Sequence, residues 1–298
     1  MELVKQQLPD LINNQILAEP TRRNTAPCAA YASYKIGSIN PDANIVVAPS
    51  DHLILKEDVF TEVLKTALNA CSMDDCLITL GIEPNRPDTG YGYIQATDES
   101  FKFESKLKKV KTFTEKPNLE MAKFFLQSGD FSWNSGIFIW SAKSIITALE
   151  KHLPEINNIF KEGKDAYNTP QEEAFITKAY SECTNISIDY GIMEKAKNVY
   201  VLPCEIGWTD LGTWGSVYEH LDKDDKGNAV IGKNVKVYNS ENNIFNVSNG
   251  KLVVVNGLKD FIIVDSDNVL LICPKGDEQQ IKQFVTDVSS DAKLKKYL

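Results

Sequence analysis

Two periodicities alternate along the chain. Residues 44–48 form a short β-branched run that stops at Pro49, and residues 76–80 form a second apolar run. Both have the length and composition of buried strands. Between them Phe60, Val63, Leu64, Ala67, Leu68 and Cys71 recur at helical spacing. Strand, helix and strand in that order predict a βαβ unit. Such units build a parallel sheet with helices on both faces and collect ligands at the carboxyl ends of the strands. Ser50, Asp51 and His52 fall at such an end.

Further along, residues 136–140 read as another buried strand, and Ser141 is placed to cap a helix running toward His152. Thr169 and Pro170 fit the N-cap and N1 positions of a helix ending near Tyr180. After Leu221 the texture changes. Residues 222–228 are polar and turn-rich, and residues 229–273 alternate short β-rich runs with Asn, Ser and Gly turns. Helical spacing returns only at Ile281, Phe284, Val285 and Val288. The expected organisation is an α/β domain over residues 1–222 and a β-rich domain with a terminal helix over residues 223–298, which suits a length of 298 residues.

Composition narrows the function classes. Apolar residues make up 43% and charged residues 24% of the chain, ordinary values for a globular protein. A formal charge of −9 opposes non-specific attraction to nucleic acid or to an anionic membrane surface, so neither is expected as a partner. The longest apolar runs, residues 261–264 and 269–273, are far too short to span a bilayer, and residues 1–11 lack the apolar core of a signal peptide. Six scattered cysteines without a CxxC pair read as reduced thiols of a cytoplasmic protein with no metal role.

Candidate chemistry sits in short motifs. Asp51, at a strand end, and Asp210, in a tryptophan-flanked turn, supply hard carboxylate oxygens; magnesium on nucleotide phosphates takes one or two such ligands. Either aspartate alone reads equally as a solvated turn residue. In FTEKP (residues 113–117), Glu115 suits sugar hydroxyls and Lys116 suits a phosphate. Pro117 biases Lys116 toward an extended backbone. Neighbouring side chains of an extended segment point to opposite faces, so both serve one pocket only if the chain twists locally. Gly90 and Gly92 of TGYGYI allow close backbone approach to a ligand or simply form a bulge. Asn134 of WNSGIF both donates and accepts. Glu19 of EPTRRNTAP can accept the paired donors on the edge of a guanine; Arg22 and Arg23 face phosphates or solvent, and Asn24 and Thr25 add hydrogen-bonding groups.

Taken in order, EPTRRNTAP (19–27), APSDH (48–52), RPDTGYGYI (86–94), FTEKP (113–117), WNSGIF (133–138) and WTDLGTW (208–214) resemble the bacterial monofunctional mannose-1-phosphate guanylyltransferases, or GDP-mannose pyrophosphorylases. SIDYGIMEK (187–195) resembles the family's helix beside the active site, and residues 257–273 resemble its β-rich tail. The resemblance implies a Rossmann-like nucleotidyltransferase domain with a mixed, mostly parallel sheet, followed by a small β-helix-like domain. It implies that GTP and mannose 1-phosphate give GDP-mannose and pyrophosphate by direct in-line attack, with Lys116, Asp51 and Asp210 as the catalytic set. Asp51 and Asp210 would bind Mg2+, and Lys116 the sugar phosphate. Glu115, Asn134 and the backbone of Gly92 would hold the mannose, while Glu19, Arg23, Asn24, Thr25, Ser50 and Asp51 meet the nucleotide. No histidine is required as a base, since a phosphate monoester is already a nucleophile, and His52 is expected as a hydrogen-bond partner. The tail would pair subunits into a homodimer or cover the apolar back of the main domain.

One departure stands out. Members of the family begin with a strand and a glycine-rich loop carrying a catalytic arginine, upstream of a region resembling residues 8–19. No such segment precedes that region in this sequence. Losing one such phosphate donor costs on the order of 10²-fold to 10³-fold in rate, so impaired activity is expected. Because the sequence ends at Leu298, no isomerase activity is expected either. Rival readings are a non-catalytic regulatory or binding subunit, a nucleotidyltransferase of other base or sugar specificity, and a glycosyltransferase of similar fold, which would release no pyrophosphate.

Overall fold

A computed structural model describes residues 2–11 and 15–297. They divide into two compact units, Met1–Ser50 with Ile54–Trp208, and Asp51–Leu53 with Thr209–Leu298. In chain order the elements up to the second division are α1 (Glu2–Gln7), α2 (Thr25–Ile39), β1 (Asn44–Val47), β2 (Leu53–Ile54), α3 (Glu57–Met73), β3 (Leu77–Ile82), β4 (Gly92–Phe101), β5 (Glu104–Thr114), α4 (Leu119–Ser128), β6 (Phe131–Ser141), α5 (Ala142–His152), α6 (Pro154–Lys161), α7 (Glu172–Glu182), β7 (Val199–Pro203) and β8 (Trp208–Thr209).

The first unit is built on a six-stranded mixed sheet in the order β1-β6-β3-β7-β5-β4. By their pairings, β1, β3, β4 and β7 run one way and β5 and β6 the other. The two strands of the expected βαβ unit are parallel, but β6 is inserted between them, antiparallel to both. Alternation along the strands feeds two cores. Leu77, Phe138 and Trp140 pack on one face with α2, α5, α6 and α7, while Ile78, Leu80, Ile137 and Ile139 pack on the other with α3 and α4. Fully buried side chains such as Ile137 and Ile139 each contribute roughly 1.5–3 kcal/mol to this arrangement.

Local chemistry sets the boundaries. Ser141 caps α5 by accepting from the Ser144 N–H at 3.0 Å. The helix expected from Thr169 begins instead at Glu172. Asn168 adopts a left-handed φ of 61°, and its N–H donates to the Glu172 carboxylate at 2.6 Å, so Thr169 and Pro170 belong to the turn that precedes the helix.

The second unit contains α8 (Trp214–His220), β9 (Ala229–Ile231), β10 (Val235–Tyr238), β11 (Ile244–Val247), β12 (Val253–Asn256), β13 (Phe261–Ser266), β14 (Val269–Pro274) and α9 (Ile281–Ser290). Parallel ladders join β9 to β11, β11 to β13, and β10 to β12, giving a β-helix-like stack. An asparagine ladder supports the rungs: Asn243 Nδ2 donates to Asn228 Oδ1, and Asn243 Oδ1 accepts from the Phe261 N–H, both at 2.9 Å. The polar stretch before it is a tied turn rather than a slack linker, because Asp224 Oδ1 accepts from the N–H groups of Lys226 and Asn228. Among the described residues no helix is long and apolar enough to cross a membrane.

Candidate functional site

Gly92, Glu115, Lys116 and Asn134 converge in the first unit. Gly92, the first residue of β4, pairs with Asn134 of β6. The register of β6 against β3 shifts here, between Thr79 and Gly81, and Gly136 has a left-handed φ of 71°. That irregularity aims the Asn134 amide inward. Its Oδ1 accepts from Thr79 Oγ1 at 2.9 Å and from the Gly136 N–H at 3.2 Å, while Nδ2 donates to Asp189 Oδ1 at 3.0 Å. The acceptor is saturated, and one amide N–H remains for a ligand.

Lys116 is not extended. Its φ is +50°, and its N–H donates to the Tyr91 carbonyl at 3.2 Å, which ties FTEKP to TGYGYI despite the bias imposed by Pro117. This is the local twist that two neighbouring side chains need in order to face one pocket. Lys116 Nζ donates to Glu115 Oε1 at 2.7 Å. The other oxygen, Glu115 Oε2, is buried without a hydrogen-bond partner among the described residues. It lies inside contact distance of the place a Cβ on Gly92 would take, so this carboxylate position exists only because residue 92 has no side chain.

Asp189, within SIDYGIMEK, completes this pocket by accepting from the Asn134 amide. It opens a π-helical turn, Asp189–Met193, in which the Glu194 N–H donates back to the Asp189 carbonyl at 3.0 Å. Such turns recur at functional sites. Burial, and then the charge of Glu115, push the Asp189 carboxyl up to about 6. Burial works against the Lys116 ammonium, but Glu115, Tyr190 and Asp189 outweigh it and raise its pKa.

Asp189 makes stability depend on pH. Its folded pKa lies above the ordinary value, so the folded state binds the extra proton, and the benefit is complete below pH 4 and lost as pH rises through about 6. At pH 8 the ionised carboxylate is a net cost. Asp189→Asn keeps an acceptor for Asn134 and is expected to stabilise the fold by about 1–2 kcal/mol at pH 8 and negligibly at pH 4. Urea denaturation at the two pH values measures the difference; equal effects at both would refute the assignment.

The remaining candidates are positioned by other elements. Glu19 is exposed, on the wall of an open cavity of about 610 Å³. Arg23 Nε donates to the Tyr180 carbonyl at 2.9 Å, Asn24 caps α2 with φ +67°, and Thr25 Oγ1 accepts from the Ile188 N–H at 2.9 Å. These three side chains fix the start of α2. Ser50 is exposed in the first unit, just past β1.

Asp51 and Asp210 both lie in the second unit. His52 senses both: burial lowers its pKa against the opposing charges of Asp210 and Asp51. Asp210 Oδ1 accepts from the Gly212 N–H at 2.9 Å, and a Cβ on Gly212 would lie 2.6 Å from Asp210 Oδ2. Among the described residues no group of three or more His, Cys, Asp or Glu side chains could hold a metal. Two hard carboxylates suit a divalent ion that completes its shell with phosphate oxygens and water rather than a closed protein cage.

Residues 2–227 match the nucleotidyl transferase family, and residues 232–288 match the MannoseP isomerase/GMP-like beta-helix domain. The chain belongs to the nucleotidyl transferase family. Among its curated relatives are the alginate biosynthesis protein AlgA of Pseudomonas aeruginosa, 34% identical over 98% of this chain and 60% of that protein, and a mannose-1-phosphate guanylyltransferase of Escherichia coli, 33% identical over 95% of this chain and 62% of that protein. The chain thus spans about three fifths of the length of these relatives. A solved structure described as mannose-1-phosphate geranyltransferase from Thermus thermophilus superposes with a TM-score of 0.81 at 24% identity, covering 97% of this chain and 81% of that one, which places the fold.

Proposed function

We propose that the chain carries the sugar-phosphate and metal sites of a mannose-1-phosphate guanylyltransferase, which transfers GMP from GTP to mannose 1-phosphate and releases pyrophosphate. The observation that carries this reading is the buried, unpartnered Glu115 Oε2 beside Gly92 and the remaining Asn134 N–H. An acceptor and a donor set side by side, with no side chain on the intervening glycine, fit adjacent hydroxyls of a pyranose. Lys116, with its side chain 56% exposed, is placed to meet the phosphate.

In this reading a phosphate oxygen of the sugar phosphate attacks the α-phosphorus of GTP in line with the departing pyrophosphate. Lys116 holds the incoming anion. Glu115 and Asn134 orient the sugar, and Glu19 accepts from the guanine edge. His52 is kept neutral and takes no proton, because the attacking phosphate is already ionised. Asp51 and Asp210 would hold Mg2+, which when bound offsets charge on the phosphates. The six cysteines are all free thiols, in keeping with a cytoplasmic setting.

The test is pyrophosphate release from each nucleoside triphosphate with mannose 1-phosphate or glucose 1-phosphate, with and without Mg2+, on a sample shown to be folded. Release that requires GTP, mannose 1-phosphate and metal together supports the proposal at whatever rate it occurs. Selectivity for another base or sugar, or release indifferent to the sugar phosphate, would refute it.

A further inference from the structure

The turn carrying Asp210 follows β8, which pairs with β2, and side chains within the turn add to its restraint. The Leu211 N–H donates to Thr209 Oγ1 at 3.3 Å, and the Gly212 N–H to Asp210 Oδ1 at 2.9 Å. A capping box, in which Thr213 Oγ1 accepts from the Ser216 N–H and Ser216 Oγ accepts from the Thr213 N–H, each at 3.1 Å, starts α8. One donor is satisfied from far away: the Gly215 N–H donates to Glu278 Oε2 at 2.8 Å, across 63 residues of sequence. The approach is close, since a Cβ on Gly215 would stand 3.2 Å from Glu278 Oε1.

The turn also stores strain. Leu211, next to Asp210, has a φ of +49°, a left-handed conformation that costs a branched residue free energy and persists only where the surroundings over-determine it. Glu278 sits on a 3₁₀ turn, Lys275–Gln280, which is itself anchored within the second unit. Lys275 Nζ lies 3.3 Å from the centroid of the Tyr218 ring and donates to the Asn242 carbonyl at 3.2 Å. Ile281 packs with Trp214, Val217, Tyr218 and Leu221. Between the turn and this segment is a cavity of about 290 Å³, lined by Leu211, Gly212, Thr213, Glu278 and Lys282 among others, so the Glu278–Gly215 hydrogen bond spans its edge.

We infer that Glu278 is a positioning residue for the metal site: by capping the first turn of α8 it holds Asp210 in the orientation that receives a divalent ion. The inference rests on the assignment of Asp210 as a metal ligand, and the experiment separates the two. Mn2+ affinity of the intact chain is measured by electron paramagnetic resonance titration, and amide hydrogen exchange of residues 209–217 is followed without metal.

Groups that orient a metal ligand typically contribute 10-fold to 100-fold in affinity. Glu278→Ala is therefore expected to weaken Mn2+ binding about tenfold and to speed exchange at Gly212 and Gly215. Glu278→Gln keeps the acceptor and should restore both properties. Glu278→Asp keeps the charge but falls short of the Gly215 N–H, and should behave like alanine; rescue by Asp instead of Gln would overturn the inference. So would unchanged exchange in Glu278→Ala, or faster exchange with unchanged Mn2+ affinity while Asp210→Asn weakens it. If Asp210→Asn leaves Mn2+ binding intact, the metal assignment itself fails.

Discussion

Glu115→Ala is expected to weaken binding of mannose 1-phosphate by roughly a hundredfold or more, because hydrogen bonds to an ionised acceptor contribute about 1.5–3 kcal/mol each and this side chain supports two. Oε2 would be lost to a sugar hydroxyl, and Oε1 would be lost to Lys116, whose ammonium is then unanchored. Glu115→Gln keeps one acceptor in place and should lose roughly tenfold. Gly92→Ala offers an independent route to the same result. Its Cβ takes the space now occupied by Glu115 Oε2, and the end of a flexible side chain yields more cheaply than backbone. The carboxylate should swing away and affinity fall with little change in stability. Calorimetric titration with mannose 1-phosphate reads all three variants. Undiminished binding by Glu115→Ala would remove the basis of the sugar site.

The largest effect on stability is expected at Glu172. Its carboxylate accepts from Lys35 Nζ at 2.6 and 2.7 Å, from the Tyr31 hydroxyl, and from the Asn168 N–H at 2.6 Å. The Lys35 and Glu172 side chains are only 10% and 11% exposed, so Glu172→Ala strands a buried ammonium with two further donors. Breaking a buried ion pair on one side costs about 3–5 kcal/mol, and the lower end applies because the pair faces the cavity of about 610 Å³.

Replacing both partners by Met and Leu should recover most of the loss, since no charge is left unpaired. Burial pushes the Glu172 carboxyl up, but Lys35, Tyr31 and the Asn168 N–H outweigh it and its pKa is lowered. The contribution is therefore present above the ordinary carboxylate pKa and lost as pH falls through the lowered one. Urea denaturation at pH 7 should separate the single variant from the parent widely, and the gap should narrow in acid. A loss below about 1 kcal/mol at pH 7 would contradict the account.

Much of this was legible in the chain because local chemistry decides it. The β-branched run before Pro49, the helical spacing from Phe60 to Cys71, and Ser141 as a cap each act within a few residues. Gly92, Glu115, Lys116 and Asn134 form a set in the sequence only through the family resemblance of their motifs, and the fold brings them together.

What the sequence hid depends on distant partners. The insertion of β6 between β1 and β3 is a question of topology that periodicity does not address. The left-handed Lys116 opposes the preference set by Pro117 and is held by the Tyr91 carbonyl. Glu172 starts its helix two residues later than the Thr169–Pro170 signal, because Asn168 and Lys35 hold its carboxylate. Asp189 lies in SIDYGIMEK, and an acidic residue in a largely apolar stretch was the signal that could have found it. The tie between Thr25 and the Ile188 N–H, which holds the start of α2, likewise joins residues distant in the chain.

The most direct test of the central claim is calorimetric titration of the folded chain with mannose 1-phosphate, glucose 1-phosphate and inorganic phosphate in turn. A pocket that reads sugar hydroxyls through Glu115 and Asn134 predicts one saturable site for mannose 1-phosphate, with glucose 1-phosphate weaker by roughly tenfold or more and inorganic phosphate weaker still. Equal affinity for all three, or no saturable binding by a folded sample, would contradict it.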